Sequence, residues 1–424
     1  MRPTSPETVR QIVHVAMGGF ALLLRTLTWP QAAALACAAL AFNLFVLPRI
    51  GGRLLYRPAD AARGYPLGIV LYPLAVLLLI LVFPERPDIV AAAWAMLAVG
   101  DGCATLAGRW IGGGSLPWNR EKTLAGTITF AVAGGLAGVG LAAWTAPAVT
   151  PRPDPQFLLW APVAAALTLW CASLMTRDAW AASSGDVARL LVPAVALNAL
   201  VAWLGWRAGT VTTAGATTGA LIGIAVFAGA GWQGWTLLFA AFFAATITSR
   251  LGLARKAILG IAESRGGRRG AGNALANTGV AALAAVLAVA TPYRIDALVA
   301  LAAALVAGAS DTVASEIGKA WGRRTVLVTT LSRVARGTSG AVSLEGTAAG
   351  LGAAAGLAAL AAGLGLTSAA IVPIVVVAAT LSSVLESTLG ATLEGPGILN
   401  NDLLNFLNTA SAAAAALILM RLLP

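Results

Sequence analysis

An all-α, polytopic transmembrane helix bundle of about 13–14 membrane segments in two related halves is the fold class the sequence predicts. Three observations carry it. Of 424 residues, 58% are apolar and 11% charged, where a soluble domain carries about 25%; a water-soluble enzyme of this length could not cover its surface. Apolar blocks of roughly 17–25 residues, the length of one crossing, recur along the whole chain. A polar motif also occurs twice at one spacing.

In chain order the predicted spans are 11–29, 31–47, 66–83, 123–146, 157–175, 188–206, 210–229, 232–249, 271–291, 341–365, 368–385 and 404–422. Basic residues before an apolar run at the N-terminus mimic a signal peptide, but further spans follow at once, so the first is expected as a retained helix. Two more apolar stretches, 89–100 and 297–309, are too short for about 30 Å of hydrocarbon. Each ends before an aspartate and is expected to be a half-helix lining a site.

The formal net charge is +11. In a soluble chain that would suggest nucleic acid; here the cations gather in loops 49–63, 101–122, 250–269 and 311–336, as the positive-inside rule requires of cytoplasmic loops. No nucleic-acid partner is expected, and the protein is placed in the cytoplasmic membrane with its active loops inside. Full crossings by 188–206, 210–229 and 232–249 would move loop 250–269 outside, so the Gly- and Thr-rich 210–229 is expected to be re-entrant or broken. Three scattered cysteines and one histidine exclude a disulfide framework and make zinc or haem catalysis improbable. Most of the 13 tryptophans suit an interface belt.

The repeated motif follows the two short stretches. Asp101 and Asp311 are each followed by Ala at +3 (Ala104, Ala314), Gly at +7 (Gly108, Gly318), a cation at +8 (Arg109, Lys319) and Gly at +11 (Gly112, Gly322). Lys122 to Gly126 is then aligned with Arg336 to Gly340, a cation four residues before a glycine that opens a helix. The duplication divides the chain near residue 205. An acid within the membrane boundary is costly and points to function; a helix start beside Lys or Arg is a phosphate site. Carboxylates facing phosphates anchor Mg²⁺, and phosphoryl transfer is mostly positioning plus charge stabilisation. A P-loop is excluded, because Glu121 precedes Lys122-Thr123 where glycine is required.

At these residues the chain resembles known families. Residues 1–200 resemble the dolichol kinase/phytol kinase family, through Arg10-Gln-Ile-Val-His14, Gly100-Asp-Gly-Cys-Ala104 and Leu116-Pro-Trp-Asn-Arg-Glu-Lys-Thr-Leu-Ala-Gly126. Residues 205–424 resemble the phytyl-phosphate kinase family, through Ser310-Asp-Thr-Val-Ala-Ser-Glu316, Gly337-Thr-Ser-Gly340, Ser343-Leu-Glu-Gly346 and Glu386-Ser-Thr-Leu-Gly-Ala391. The resemblance implies two domains, 1–205 and 206–424, that phosphorylate a phytol-like isoprenoid alcohol and then its monophosphate, with CTP or another nucleoside triphosphate as donor.

Asp101, Asp311 and Glu316 are the candidate Mg²⁺ ligands, although Glu316 could simply pair with Lys319 three residues on. His14, Lys122, Arg336 and Glu386 are the candidate catalytic residues. A lone histidine on an apolar helix is more often a packing residue, and only the resemblance offers His14 for deprotonating the alcohol. Candidate nucleotide and phosphate contacts are Arg109, Asn119, Thr123, Gly126, Lys256, Arg268, Arg269, Asn273, Asn277, Lys319, Gly337, Thr338 and Gly340. Asn400, Asn401 and Asp402 are expected to cap a helix. Two other classes use the same parts: a CDP-lipid nucleotidyltransferase and a duplicated-fold transporter.

Overall fold

A computed structural model describes residues 6–49, 67–150, 157–261, 268–395 and 398–422. Arg53, Arg57, Arg63 and Arg265, expected to mark cytoplasmic loops, lie outside them. The chain divides into two compact units, Met1–Met175 and Thr176–Pro424. The division precedes the expected residue 205, because the helix Arg177–Arg207 packs along the helices that follow it.

The first unit runs α1 (Pro6–Met17), a 3₁₀ stretch (Gly18–Arg25), α2 (Trp29–Ala41), α3 (Leu67–Val82) and α4 (Pro87–Ala95). A π-turn (Met96–Gly100) carries α4 into α5 (Asp101–Trp110). A hairpin of β1 (Ser115–Leu116) and β2 (Asn119–Thr123) leads to α6 (Leu124–Thr129), α7 (Gly135–Thr145) and α8 (Phe157–Leu174). The second unit runs α9 (Arg177–Arg207), α10 (Thr213–Arg250), α11 (Leu253–Ile258), α12 (Ala271–Ala290) and α13 (Arg294–Trp321). After the hairpin of β3 (Thr325–Leu327) and β4 (Ala341–Ser343) come α14 (Leu344–Gly363), α15 (Val372–Leu389) and α16 (Asn401–Leu422).

Among the described residues the fold is helical apart from these two antiparallel hairpins. Among the described residues ten helices are long and apolar enough to cross a membrane, fewer than the 13–14 segments expected. Part of the shortfall is that 210–229 and 232–249 run as one element, α10; the two short stretches are not half-helices but belong to two of the ten. Residues 297–309 continue without a break through Asp311 to Trp321, and 89–100 continue through the π-turn to Trp110. The aspartates stop the apolar pattern but not the helix, because later turns face polar surroundings. The expected span 11–29 is also absent as a unit; the helix loosens to 3₁₀ at Gly18-Gly19.

The other long irregularity is in α10. Gly231, at φ 67° and ψ −169°, adopts a conformation essentially reserved for glycine. It folds α10 into two arms, 213–230 and 232–250, bringing Gly223 and Trp235 onto the same Asn198. The break thus falls after the Gly- and Thr-rich stretch and not within it. At one end of the unit, segment 209–212 pairs with 268–270: Val211 bridges Arg269, and Arg269 N–H donates to Thr210 O.

The duplication is structural. In each unit the aspartate-bearing helix is followed by a hairpin whose last residue caps the next helix. Thr123 accepts from Gly126 N–H, and Ser343 from Gly346 N–H, the expected N-cap geometry. Gly126 abuts Ala104 O and faces Gly108; Gly346 abuts Ala314 O and faces Gly318. Thr123-Leu-Ala-Gly126 therefore corresponds to Ser343-Leu-Glu-Gly346. The expected match of Lys122–Gly126 with Arg336–Gly340 is wrong: Arg336 and Gly340 lie in the loop before β4, and Gly340 opens no helix.

At the centre of the second unit stands α13, whose residues 299–310 are buried. Its alanines let α12, α14, α15, α16 and the arms of α10 approach closely, as small residues do in membrane bundles.

The close approach at the caps is testable. A Cβ on Gly346 would lie 2.5 Å from Ala314 O, whereas one on Gly356 meets nothing within 4 Å. Gly346→Val is expected to destabilise by about 1–3 kcal/mol, and Gly356→Ala to be neutral or mildly stabilising. Thermal unfolding in detergent reads both.

Candidate functional site

In the second unit, a cavity of about 390 Å³ opens among α12, α13, α15, α16 and the loop between β3 and β4. It gathers Arg269, Asn273, Asn277, Asp311, Glu316, Lys319, Arg336, Gly337, Thr338, Gly340 and Glu386, residues far apart in sequence. The N-terminal turn of α14 also lines it through Ser343, Gly346 and Thr347, adding the partial positive charge of a twenty-residue helix.

Two carboxyls meet in this cavity. Asp311 accepts from Ser383 Oγ at 3.0 Å, and the Glu386 carboxyl lies against it. Glu386 Oε2 is buried and has no protein partner. Two carboxyls held together around an unanswered oxygen need a proton or a cation between them. Glu394 stands nearby and binds Ser339 Oγ. Across the cavity Gly337 and Gly340 adopt positive φ, 81° and 73°. A Cβ at Gly340 would strike Ser387 O, so glycine is required for this loop to pack against α15.

Several expected contacts are placed elsewhere. Lys256 is 1% exposed; its Nζ donates to Ser249 O at 2.7 Å and to Glu316 Oε2 at 2.5 Å. It braces α11 against α13 and does not face phosphates. Glu316 spends both oxygens on lysines, with Lys319 Nζ 2.8 Å from Oε1. The ion-pair alternative holds here: Glu316 anchors Lys319 at the cavity wall and presents no open carboxylate to a metal. Arg268 is exposed and reaches Gly209 O at 3.3 Å, so it ties the segment pair together outside the cavity, while its neighbour Arg269 turns in.

The first unit gathers its candidates less tightly. Asp101, expected as an acid within the membrane boundary, has 60% of its side chain exposed. His14 Nε2 lies 3.9 Å from Asp101 Oδ2 and 2.9 Å from Leu97 O. A carbonyl only accepts, so the ring nitrogen facing Asp101 is a donor. With Tyr72 packed edge-on, 4.7 Å between ring centroids, His14 holds α1 to α5 and does not serve as the expected base at that nitrogen. Asn119 is likewise structural. It is 3% exposed, donates to Ser173 O and Met175 O, and accepts from Glu121 N–H, leaving nothing for a nucleotide. Thr123 and Gly126 form the cap and its close contact, while Arg109 and Lys122 are exposed at the same end.

Sequence reading missed Ser383, Ser339, Glu394 and Asn405, all on the cavity wall. It also took Asn401 for a cap. Asn400 does cap α16, accepting from Leu403 N–H, but Asn401 and Asn405, one turn apart, face the cavity. The i, i+4 spacing was the available signal. Ser383 precedes Glu386 by three residues and carried the same signal.

Bundle and cavity together define a class: a helical integral membrane protein with a charged chamber at one end of its second unit. The chain belongs to the integral membrane protein family DUF92, whose model matches residues 196–413. It is 41% identical over 201 residues to an uncharacterized membrane protein of Synechocystis, covering 46% of this chain and 78% of that one. It is 32% identical over 211 residues to the chloroplastic protein VTE6 of Arabidopsis thaliana, covering 47% and 62%. It is 30% identical over 141 residues to a probable chloroplastic phytol kinase 3 of Glycine max, covering 31% and 44%. The chain thus spans less than two thirds of the last two. No solved structure matches.

The buried lysine network makes a stability prediction. Glu316→Gln leaves Lys256 charged and without its carboxylate, a loss of about 3–5 kcal/mol. Adding Lys256→Met is expected to recover most of it, read as the thermal midpoint of the single and double variants in detergent.

Proposed function

We propose that the protein is a membrane-embedded kinase that phosphorylates a phytol-like isoprenoid alcohol and then its monophosphate. In this reading the first half makes the monophosphate and the second the diphosphate, from CTP or another nucleoside triphosphate, at the cytoplasmic face. The names of the VTE6 and phytol kinase relatives support the class. The observation that carries the second step is the cavity itself, where Arg269, Lys319, Arg336, a glycine loop and a helix N-terminus face the Asp311–Glu386 pair.

In that step an oxygen of the prenyl monophosphate attacks the terminal phosphorus of the donor. One O–P bond forms as the bridging P–O bond breaks, and its electron pair leaves with the nucleoside diphosphate. Two polyanions must be brought together, so charge compensation dominates the barrier. Arg336 and Lys319 offset charge on the transferred group; Glu316 keeps Lys319 in place. The Gly337–Gly340 loop admits phosphate close to backbone, and the α14 N-terminus adds its dipole.

The residues present fit Mg²⁺. Among the described residues no cluster of three or more His, Cys, Asp or Glu could hold a metal, but Mg²⁺ is usually held by one or two carboxylates plus substrate phosphates. Asp311 and Glu386, with its unanswered Oε2, would hold it; when bound, it supplies compensation of phosphate charge. In the first unit Asp101 would take that role and Arg109 and Lys122 would meet the phosphates.

Purified protein given phytol, Mg²⁺ and labelled CTP is expected to form monophosphate and then diphosphate, with CDP released. Asp101→Asn should stop the first step. Asp311→Asn and Arg336→Ala should each slow the second by about 100-fold or more while monophosphate still accumulates. Survival of both steps in both aspartate variants sinks the assignment, and pyrophosphate release identifies a CDP-lipid nucleotidyltransferase instead.

A further inference from the structure

A second cavity, of about 140 Å³, adjoins the polar one and is built of opposite material. Its walls are α9, both arms of α10, the start of α12 and the middle of α13, and its lining is overwhelmingly aliphatic and aromatic. The two cavities share Arg269, Asn273 and Asn277. Apolar space and charged space thus meet at one polar threshold.

The bend at Gly231 creates this space. Because the arms of α10 fold back on each other, residues 215–222 of one and 235–245 of the other line the same hollow, a depth of about 15 Å along the helix axes. Its far end is closed by Asn198, whose Oδ1 accepts from Trp235 Nε1 at 3.0 Å and whose Nδ2 donates to Ala194 O at 2.8 Å. Those polar atoms are satisfied by each other and ask nothing of an occupant. At the near end the Arg269 guanidinium lies 5.6 Å over the Phe242 ring, and Asn273 Oδ1 is buried without a partner. The threshold therefore offers a cation and an unanswered polar atom, while the interior offers neither.

Resting on the kinase reading above, the geometry points to this hollow as the seat of the substrate's hydrocarbon chain and as the element that selects chain length. A prenyl phosphate with its head in the polar cavity carries an apolar chain that must leave through the shared threshold. A pocket entered there removes the chain from competition with bulk lipid and holds the phosphate in register with the donor. Arg269 marks the junction of head and chain. Gly219 sits on the wall halfway along the 215–222 arm; a Cβ there meets nothing within 4 Å. A Cβ added at this lining position meets open space and no backbone, and the change removes a helix-weakening glycine.

The test is a graded series, Gly219→Ala, Gly219→Leu and Gly219→Trp, in full-length protein reconstituted in nanodiscs. Each variant receives dimethylallyl, geranyl and geranylgeranyl monophosphate with CTP and Mg²⁺. The ratio of kcat/KM for the longest to the shortest substrate is expected to fall with side-chain size, by about 10-fold or more at Leu. An unchanged ratio across the series overturns the assignment. A diazirine-tagged geranylgeranyl monophosphate, photolysed without donor, supplies a readout independent of turnover. Label within 213–250 that free geranylgeranyl monophosphate displaces supports the pocket. Label elsewhere, or label displaced equally by phosphatidylglycerol, means an ordinary lipid occupies the hollow and overturns it. If wild-type protein turns over none of the monophosphates, the kinase reading fails on that arm, and the labelling arm alone decides the pocket.

Discussion

A charge inside a hydrocarbon-facing bundle must be answered by a partner, a ligand or water, and the second unit is organised around that requirement. Helix α13 carries Asp311, Glu316 and Lys319 just beyond its fully buried run 299–310, with Glu316 itself buried. Its first half is alanine and small aliphatics, so neighbouring helices come close enough to deliver partners from every side. Glu316 is answered by Lys256 and Lys319, and Asp311 by Ser383 and Glu386. Only the second group is left with an open oxygen. Structural charge and chemical charge are thus separated by roughly one helical turn and a half on the same helix.

The two units repeat one device: a helix bearing an acid, a short hairpin, then a hydroxyl that caps the next helix against a glycine. Holding Gly108 to Gly126, and Gly318 to Gly346, pulls the N-terminus of the following helix toward the acid-bearing one. What differs is the hairpin. In the first unit it is tight and its asparagine is fully committed to the end of α8. In the second it is long enough to carry Arg336 and the Gly337–Gly340 loop over the cavity.

Much of this was legible in the sequence. Apolar blocks and loop charges marked the bundle, and the Asp…Ala…Gly…cation spacing located both acid helices, because backbone contacts at Ala104, Gly108 and their counterparts constrain residue size directly. The half-helix reading failed because hydropathy registers a charge as an end, while a helix needs only satisfied backbone and a polar environment to continue. Lys256 and Arg268 misled because a cation's sequence neighbourhood does not reveal whether it faces a cavity or a carboxylate sixty residues on. The register of the second repeat slipped because a matching cation weighed more than the capping hydroxyl, although Ser343-Leu-Glu-Gly346 was in view. Ser383 and Asn405 were hidden by lying on helices read mainly for apolar length.

The bend at Gly231 has a topological meaning. A straight α10 would be one pass; a folded one is two, and the sum decides where everything downstream emerges. With the fold, the end of α9 at Arg207 and the start of α12 at Arg269 meet where segment 209–212 pairs with 268–270. A single residue, held in backbone geometry essentially reserved for glycine, acts as the parity bit of the polypeptide, and it sets the side on which the elements after α10 begin.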